Sequence, residues 1–227
     1  MSLSAFRLRL LVLVLAGTLL GAGWTPAAAQ TPSDTATTPR AMTLVDLLSL
    51  PSVDDPRLSP DGDRVVYVKG TANWERNRRV EHLWIASTQT DASFQLTNGE
   101  DGEQSPRWSP DGEHVAFLAD RSDTLETQIY LIRPDGGEAR PLTTHATGVS
   151  DIQWSPDGDW IYFRAPNEKS DAEKAQEKAE NDVFAFNENY QHHHLWRVDV
   201  ADGEEERVTE GDWSLMGYRL GPDGNQM

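Results

Sequence analysis

The 227-residue sequence contains no cysteine. A chain without thiols has no disulfide framework, no thiolate nucleophile and no cysteine that could carry a lipid anchor. Lysine is scarce too, because only four of the 20 basic residues are lysine, whereas aspartate and glutamate total 37 and the formal net charge is −17. We expect no nucleic acid partner for such a surface. The charge balance fits general adaptation to a salt-rich habitat or, alternatively, an acidic face that binds a cationic ligand.

The sequence also lacks an apolar run long enough to cross a membrane. After two arginines, the apolar stretch from Leu10 to about Leu20 has about 11 residues, whereas a spanning helix needs about 20. Alanines at 27–29 offer an A-x-A cleavage site, so the pattern predicts a secretory signal peptide at 1–29 and export to the periplasm or medium, with no membrane attachment after cleavage. Residues 30–42, rich in Thr, Ser, Pro and Ala, are predicted to be a disordered leader.

Recognisable catalytic machinery is absent as well. Pairs of glycines four residues apart occur only around Leu19 and Arg219, so the G-x-S-x-G segment of serine hydrolases is missing. No grouping of Ser, His and Asp rises above chance. We therefore expect no catalytic residue, no metal ion and no cofactor in this chain, and the sequence does not indicate which residues would bind a ligand.

A five-residue segment, by contrast, recurs four times. It reads WSPDG at 108–112 and 154–158, LSPDG at 58–62 and LGPDG at 220–224. Ser-Pro-Asp-Gly suits a type I turn whose glycine adopts positive φ, which joins two antiparallel strands. This turn explains every residue type in the segment without catalysis or metal binding by its aspartates, which are Asp61, Asp111, Asp157 and Asp223.

Short runs of β-branched and aromatic residues surround these turns and predict strands. The runs are 64–70, 82–87, 114–120, 128–133, 160–165 and 194–200. Asp111 and Asp157 are 46 residues apart, and Asp157 and Asp223 are 66 apart. A unit of about 46 residues with four short strands is typical of a β-propeller blade. We place Trp108 and Trp154 between neighbouring blades.

The predicted fold class is therefore all-β: an incomplete β-propeller of four-stranded blades with WD-like S-P-D-G repeats. It carries one short N-terminal helix, capped by Thr43 and ended before Pro51. Residues 43–227 form a partial propeller of about three to four blades. At 46 residues per blade, the stretch from Val53 to Met227 makes under four blades, whereas four to eight close a ring. The chain stops where a further strand should begin, so we expect the isolated polypeptide to be poorly soluble or incompletely folded.

Two insertions interrupt the 46-residue unit. About four extra residues lie near Asn73, and 20 lie between Phe163 and Leu195. The larger one predicts a charged helical arm at about 166–193, started by a Ser170–Glu173 capping box. The arm is either a solvated surface feature or a contact surface for a partner domain or a substrate.

Two other polar clusters contain residues of types that can bind ions or substrates. In the run His192 to His194, only His192 and His194 could share an ion, because successive strand residues point to opposite faces. No further ligand is fixed by spacing, so no metal site is expected there. Glu204 to Glu206 are interpreted as solvated turn residues.

Residues 44–68 and 95–143 resemble the N-terminal propeller of the prolyl oligopeptidase family of serine peptidases, especially its acylaminoacyl-peptidase and dipeptidyl-peptidase branches. The resemblance covers about 43–224. It implies a two-part enzyme in which the propeller restricts access to small peptides and a C-terminal α/β-hydrolase domain, absent from this chain, carries a Ser, Asp and His triad. In the dipeptidyl-peptidase branch, a pair of glutamates in a propeller helix holds the N-terminal amine of the substrate. The motif that surrounds this pair is missing around Glu173 and around residues 204–206, so the resemblance assigns them no such role.

The leading functional hypothesis is a fragment of an exported serine peptidase that gates and recognises peptide substrates. The main alternative is a non-enzymatic periplasmic Tol-type propeller that binds a protein or peptide. A third possibility is a propeller that binds a small ligand.

Overall fold

The structure, a computed structural model, describes residues 40–121, 126–178 and 191–221. In this part of the chain, strands form three four-stranded antiparallel sheets, and each sheet keeps the sequential order of a meander. Blade 1 contains β1 (Ser52–Leu58), β2 (Arg64–Asn73), β3 (Arg78–Ser87) and β4 (Ser93–Gln95). Blade 2 contains β5 (Glu103–Trp108), β6 (Val115–Ala119), β7 (Gln128–Ile132) and β8 (Arg140–Pro141). Blade 3 contains β9 (Ser150–Trp154), β10 (Trp160–Pro166), β11 (His193–Asp199) and β12 (Glu205–Arg207). The predicted fold class is confirmed.

The helices α1 (Leu44–Ser49) and α2 (Asp171–Lys178) are short. Thr43 caps α1 as predicted, because Asp46 donates its N–H to Thr43 Oγ1 at 3.2 Å while Thr43 donates its N–H to Asp46 Oδ2 at 2.8 Å. Within the described ranges, no helix is long and apolar enough to cross a membrane. The predicted signal peptide and most of the predicted leader lie outside the described residues.

Blade 2 is packed on both faces. Every residue of β6 is buried, because successive side chains point to opposite faces of the sheet and pack into two different apolar clusters. Val115 and Phe117 join a cluster with Val66 and Leu83 of blade 1, whereas Ala116 and Leu118 join a cluster with blade 3. The propeller core is therefore a series of apolar layers between sheets.

Both insertions fall between paired strands. In blade 1 the β2–β3 ladder continues to Asn73 opposite Arg78, which accounts for the extra residues near Asn73 and leaves Trp74 at the hairpin tip 57% exposed. In blade 3 the β10–β11 ladder ends with Pro166 opposite His193. Residues 167–192 connect these strands, where the sequence predicts the arm.

Candidate functional site

The S-P-D-G segments form the predicted hairpin turns. Ser109 Oγ donates to Asp111 Oδ1 at 2.5 Å, the N–H of Glu113 donates to the same oxygen at 2.9 Å, and Gly112 has a φ of 74°. The hydrogen bond from Ser109, and then the one from Glu113, lower the pKa of Asp111. Asp61 and Asp157 make the same bonds and have lowered pKa values for the same reasons. These carboxylates hold turns, whereas Asp223 lies outside the described residues.

The tryptophans before these turns join neighbouring blades, as predicted. Trp108 Nε1 donates to the carbonyl oxygen of Arg57 at 2.9 Å, and Trp154 Nε1 donates to that of Arg107 at 3.1 Å. Trp108 is only 9% exposed, whereas Leu58, at the corresponding position of blade 1, is 60% exposed. Each tryptophan thus bonds to the first strand of the preceding blade.

The turns also touch one another, a role that sequence reasoning missed. A Cβ atom added at Gly112 would lie 3.6 Å from Cδ of Pro60, and one added at Gly158 would lie 3.6 Å from Cδ of Pro110. The glycine of each turn therefore packs beside the proline of the turn before it. The recurring segment fixes the spacing between blades as well as the hairpin.

The first strands of the three blades line a groove, which we call the inner groove. It has a volume of about 780 Å³, within the range of about 300–1,000 Å³ of ligand pockets. Its walls are β1, β5, β9 and the segment 216–220, and its lining residues include Arg57, Arg107, Trp108, Asp151, Trp154, Tyr218 and Arg219.

A strained backbone position recurs beside the inner groove. Asp55, Ser105 and Asp151 have φ values of 45°, 55° and 51°, and each precedes its turn aspartate by six positions. The ladders of β1 and β5 shift register at these positions, as does the ladder between β9 and β10. Such bulges re-aim side chains and cost of order 1–3 kcal/mol each. Their recurrence in every described blade indicates a shared geometric requirement.

Ion pairs reinforce this wall. Asp55 Oδ1 lies 2.5 Å from Arg57 Nη2 of its own strand, and Asp55 Oδ2 lies 2.8 Å from Arg107 Nη1 of the next blade. In blade 3, Asp151 Oδ2 lies 2.9 Å from Arg164 Nη2. The aspartates at the bulges thus orient arginines along the groove.

The segment after blade 3 closes the far side of the groove. Gln153 Nε2 donates to the carbonyl oxygen of Tyr218 at 3.1 Å, and Leu220 donates its N–H to Gln153 Oε1 at 3.3 Å. The Tyr218 hydroxyl donates to the carbonyl oxygen of Asp151 at 2.5 Å, and burial raises the pKa of this phenol. Tyr218 therefore stays a neutral donor, and residues 216–220 occupy the place of a further first strand.

The histidine run does not converge on an ion. His192 Nδ1 lies 3.2 Å from Ser214 Oγ. His194 is fully buried, with Nδ1 at 3.3 Å from Thr209 Oγ1, and burial lowers its pKa. Across residues 40–121, 126–178 and 191–221, no group of three or more potential ligands is placed to hold a metal.

The interpretation of Glu204 to Glu206 as solvated turn residues is wrong for Glu205. Glu205 belongs to β12, and its side chain is only 18% exposed. Its Oε2 lies 2.5 Å from His145 Nδ1, and its Oε1 accepts the N–H of Thr144 at 3.1 Å. The hairpin turn ends at Glu204, two residues earlier than the sequence suggests, so Glu205 and Glu206 belong to the strand and the Glu205 carboxylate faces the loop that leads from blade 2 into blade 3.

A buried carboxylate that sequence reasoning missed joins blades 1 and 2. Glu103 is 1% exposed. Its carboxylate accepts hydrogen bonds from Thr97 Oγ1 at 2.7 Å and from the N–H of Gly99 at 2.8 Å. Its other two partners are His82 Nδ1, at 2.9 Å, and the guanidinium group of Arg121. Burial raises its pKa, but the bonds from His82, Thr97 and Arg121 outweigh burial and the pKa lies below its usual value. The one sequence signal for this cluster is that Thr97 and Thr143 are 46 residues apart, the length of the repeat.

The described part of the arm begins as predicted. Ser170 donates its N–H to Glu173 Oε2 at 2.7 Å, and Glu173 donates its N–H to Ser170 Oγ at 3.3 Å. The hydrogen bond from the Ser170 hydroxyl, followed by the backbone bond, lowers the pKa of Glu173. Residues 179–190 lie outside the described residues, so both interpretations of the arm stay predictions.

The repeat and its blade geometry match a known family. The TolB beta propeller domain family matches residues 50–173. This chain belongs to that family. The TolB-type propeller is also 41% identical over 111 residues to the "uncharacterized peptidase YuxL" of Bacillus subtilis, over 49% of this chain and 17% of the relative. It is 28% identical over 185 residues to dipeptidyl-peptidase 5 of Porphyromonas endodontalis, over 78% of this chain and 26% of the relative.

Solved structures support the same fold. The acylaminoacyl peptidase of Pyrococcus horikoshii superposes with a TM-score of 0.54 at 21% identity, over 71% of this chain and 25% of that one. The AtxE2 isopeptidase gives a TM-score of 0.57 at 19% identity, over 72% of this chain and 31% of that one. The resemblance to peptidase propellers is confirmed. The chain spans about a quarter or less of the length of the curated relatives described above.

Proposed function

We propose that this TolB-type propeller is the gating and substrate-recognition part of an exported serine peptidase that cleaves short peptides. Catalysis is assigned to an α/β-hydrolase domain outside the 227 residues, in keeping with the absence of a G-x-S-x-G segment from them. The observation that carries the proposal is the similarity to dipeptidyl-peptidase 5, which extends over 78% of this chain.

The inner groove supports a gating role. Its walls are tied across blades by the tryptophan bonds to Arg57 and Arg107 and by the Asp55–Arg107 ion pair. A rigid wall of this kind discriminates by size, because an extended peptide is one chain wide whereas a folded protein domain is tens of ångströms across. The backbone carbonyls and guanidinium groups of the wall supply hydrogen-bonding partners for a peptide.

The catalytic part of the proposal is tested on the intact gene product. Sequencing the gene beyond codon 227 should reveal a G-x-S-x-G segment between a strand and a helix, followed by Asp and then His. Chromogenic aminoacyl and dipeptidyl substrates should then be hydrolysed, and replacement of the elbow serine by alanine should abolish hydrolysis. A gene that encodes only further blades, or a product that hydrolyses neither substrate class, would instead favour a binding protein.

Export is tested separately. The intact gene should yield a periplasmic or secreted protein whose first residue is Gln30, because the signal peptide ends at Ala29. Deletion of residues 2–29 should leave the protein in the cytoplasm. N-terminal sequencing that finds the segment retained on a cytoplasmic protein would refute export.

A further inference from the structure

The inner groove concentrates positive charge on an otherwise acidic protein. Arg57, Arg107 and Arg219 line the groove, and Arg164 lies beside it through its ion pair with Asp151. Among the described residues, the ion pairs of these four guanidinium groups involve two carboxylates, those of Asp55 and Asp151, although the whole chain carries a formal charge of −17. The charge of the groove is thus opposite in sign to that of the protein.

The arginines recur at one position of the repeat. Arg57, Arg107 and Arg219 each stand two residues before the serine or glycine of the turn segment, and Gln153 occupies this position in blade 3. Because the blades repeat in register, this position presents arginines to the groove from β1, β5 and the segment 216–220, whereas the amide of Gln153 is bonded to Tyr218 and Leu220. The sequence shows this pattern, but only the structure places it along one groove.

The arginines of the groove have more N–H donors than their ion pairs and hydrogen bonds within the protein use. Asp55 uses one oxygen for Nη2 of Arg57 and the other for Nη1 of Arg107, and Nη1 of Arg107 also donates to the carbonyl oxygen of Pro106 at 2.7 Å. Each guanidinium carries five N–H donors. Within the described ranges Arg219 makes no ion pair and its side chain is exposed, so it can rotate towards a bound anion.

We propose that the inner groove binds carboxylate groups of peptides through Arg57, Arg107 and Arg219, so that the protein selects acidic peptides or peptide C-termini. Paired N–H groups of arginine match the two oxygens of a carboxylate. Trp154 and Tyr218 add aromatic surface beside the arginines. This inference rests on the proposed function, because it takes the ligand to be a peptide.

The test is calorimetric titration of the intact gene product with three acetylated tetrapeptides, whose integrity is checked afterwards by mass spectrometry. Acetyl-Ala-Glu-Glu-Ala-amide carries only side-chain carboxylates, acetyl-Ala-Gln-Gln-Ala carries only a terminal carboxylate, and acetyl-Ala-Gln-Gln-Ala-amide carries neither. At least one charged peptide should bind about tenfold or more tightly than the neutral one, and added salt should weaken that binding. The stronger of the two charged peptides identifies the source of the carboxylate.

Arg219→Gln should weaken binding of the preferred peptide about tenfold and should leave binding of the neutral peptide unchanged. The matched control is Arg133→Gln, since Arg133 is exposed and does not line the groove. Equal binding of the three peptides, or equal effects of the two substitutions, would overturn the inference. Selective binding without peptide hydrolysis would leave it standing and count against the proposed peptidase function alone.

Discussion

Replacing Trp108 by alanine should strongly weaken the contact between blades 1 and 2. The side chain is 9% exposed and belongs to the core cluster that joins the two blades. Truncation of a buried tryptophan typically costs about 3–5 kcal/mol. The substitution also removes the donor to the carbonyl oxygen of Arg57, and a hydrogen bond of this kind contributes about 1 kcal/mol.

The assay is hydrogen exchange of the intact gene product, followed by mass spectrometry of peptides from β2 and β6. A loss of about 3–5 kcal/mol corresponds to exchange roughly 100- to 4,000-fold faster for amides that exchange through blade opening. Trp108→Phe keeps part of the apolar contact and loses the indole donor, so its exchange should rise at least about fivefold, but less than that of Trp108→Ala.

The matched control is Trp74→Ala. Trp74 is 57% exposed at the tip of the β2–β3 hairpin, so its loss should change exchange in β2 and β6 by less than about threefold. If Trp108→Ala and Trp74→Ala gave the same exchange rates, the assignment of Trp108 to the blade interface would be refuted.

Three further predictions concern the turns, the buried carboxylate and the isolated chain. Gly158→Ala should lower the free energy of unfolding by about 1–2 kcal/mol in urea titrations, because Gly158 has a φ of 82°. Gly217→Ala is the control and should be nearly neutral, because no atom lies within 4 Å of the added Cβ. Equal effects of the two substitutions would contradict the explanation of the turn. Glu103→Gln should lower the free energy of unfolding at neutral pH and should make that free energy fall less steeply in acid. The reason is that folding lowers the pKa of Glu103, so its carboxylate stabilises the fold above the unfolded pKa, and this stability is lost as the pH falls through the folded pKa. An unchanged dependence of stability on pH would refute this prediction. The isolated 227-residue polypeptide should sediment as aggregates or melt without a cooperative transition, and a cooperative monomeric melt would prove that expectation wrong.

The repeat made much of the fold predictable from sequence. Period-two runs and the 46-residue spacing located the central strands of each blade, and Ser-Pro-Asp-Gly predicted the turns because each residue type has a local conformational reason. Trp108 and Trp154 lie between blades, as the sequence predicts, because a large aromatic residue at a fixed position of a repeat needs a neighbouring unit to cover it.

The groove could not be predicted, because its features depend on contacts between blades. Asp55 gives no local signal for positive φ, since β-bulges arise from the pairing of two strands. Glu103 and Glu205 look like ordinary surface charges in the sequence, yet their partners lie far away along the chain. His82 of β3 is 21 residues from Glu103, and His145, in the loop before β9, is 60 residues from Glu205. Long-range pairing of this kind leaves little trace in one sequence.

The most direct test of the account compares cleavage of one peptide sequence in two settings by the intact gene product. The specificity constant kcat/KM is measured for the sequence as a free hexapeptide and for the same sequence held in a surface loop of a folded protein. If the propeller gates access to a peptidase active site, the hexapeptide is cleaved and the folded substrate is not. Trp108→Ala should reduce the difference in kcat/KM between the two substrates, because it weakens the contact between blades 1 and 2. Equal cleavage of both substrates, or cleavage of neither, would contradict the account.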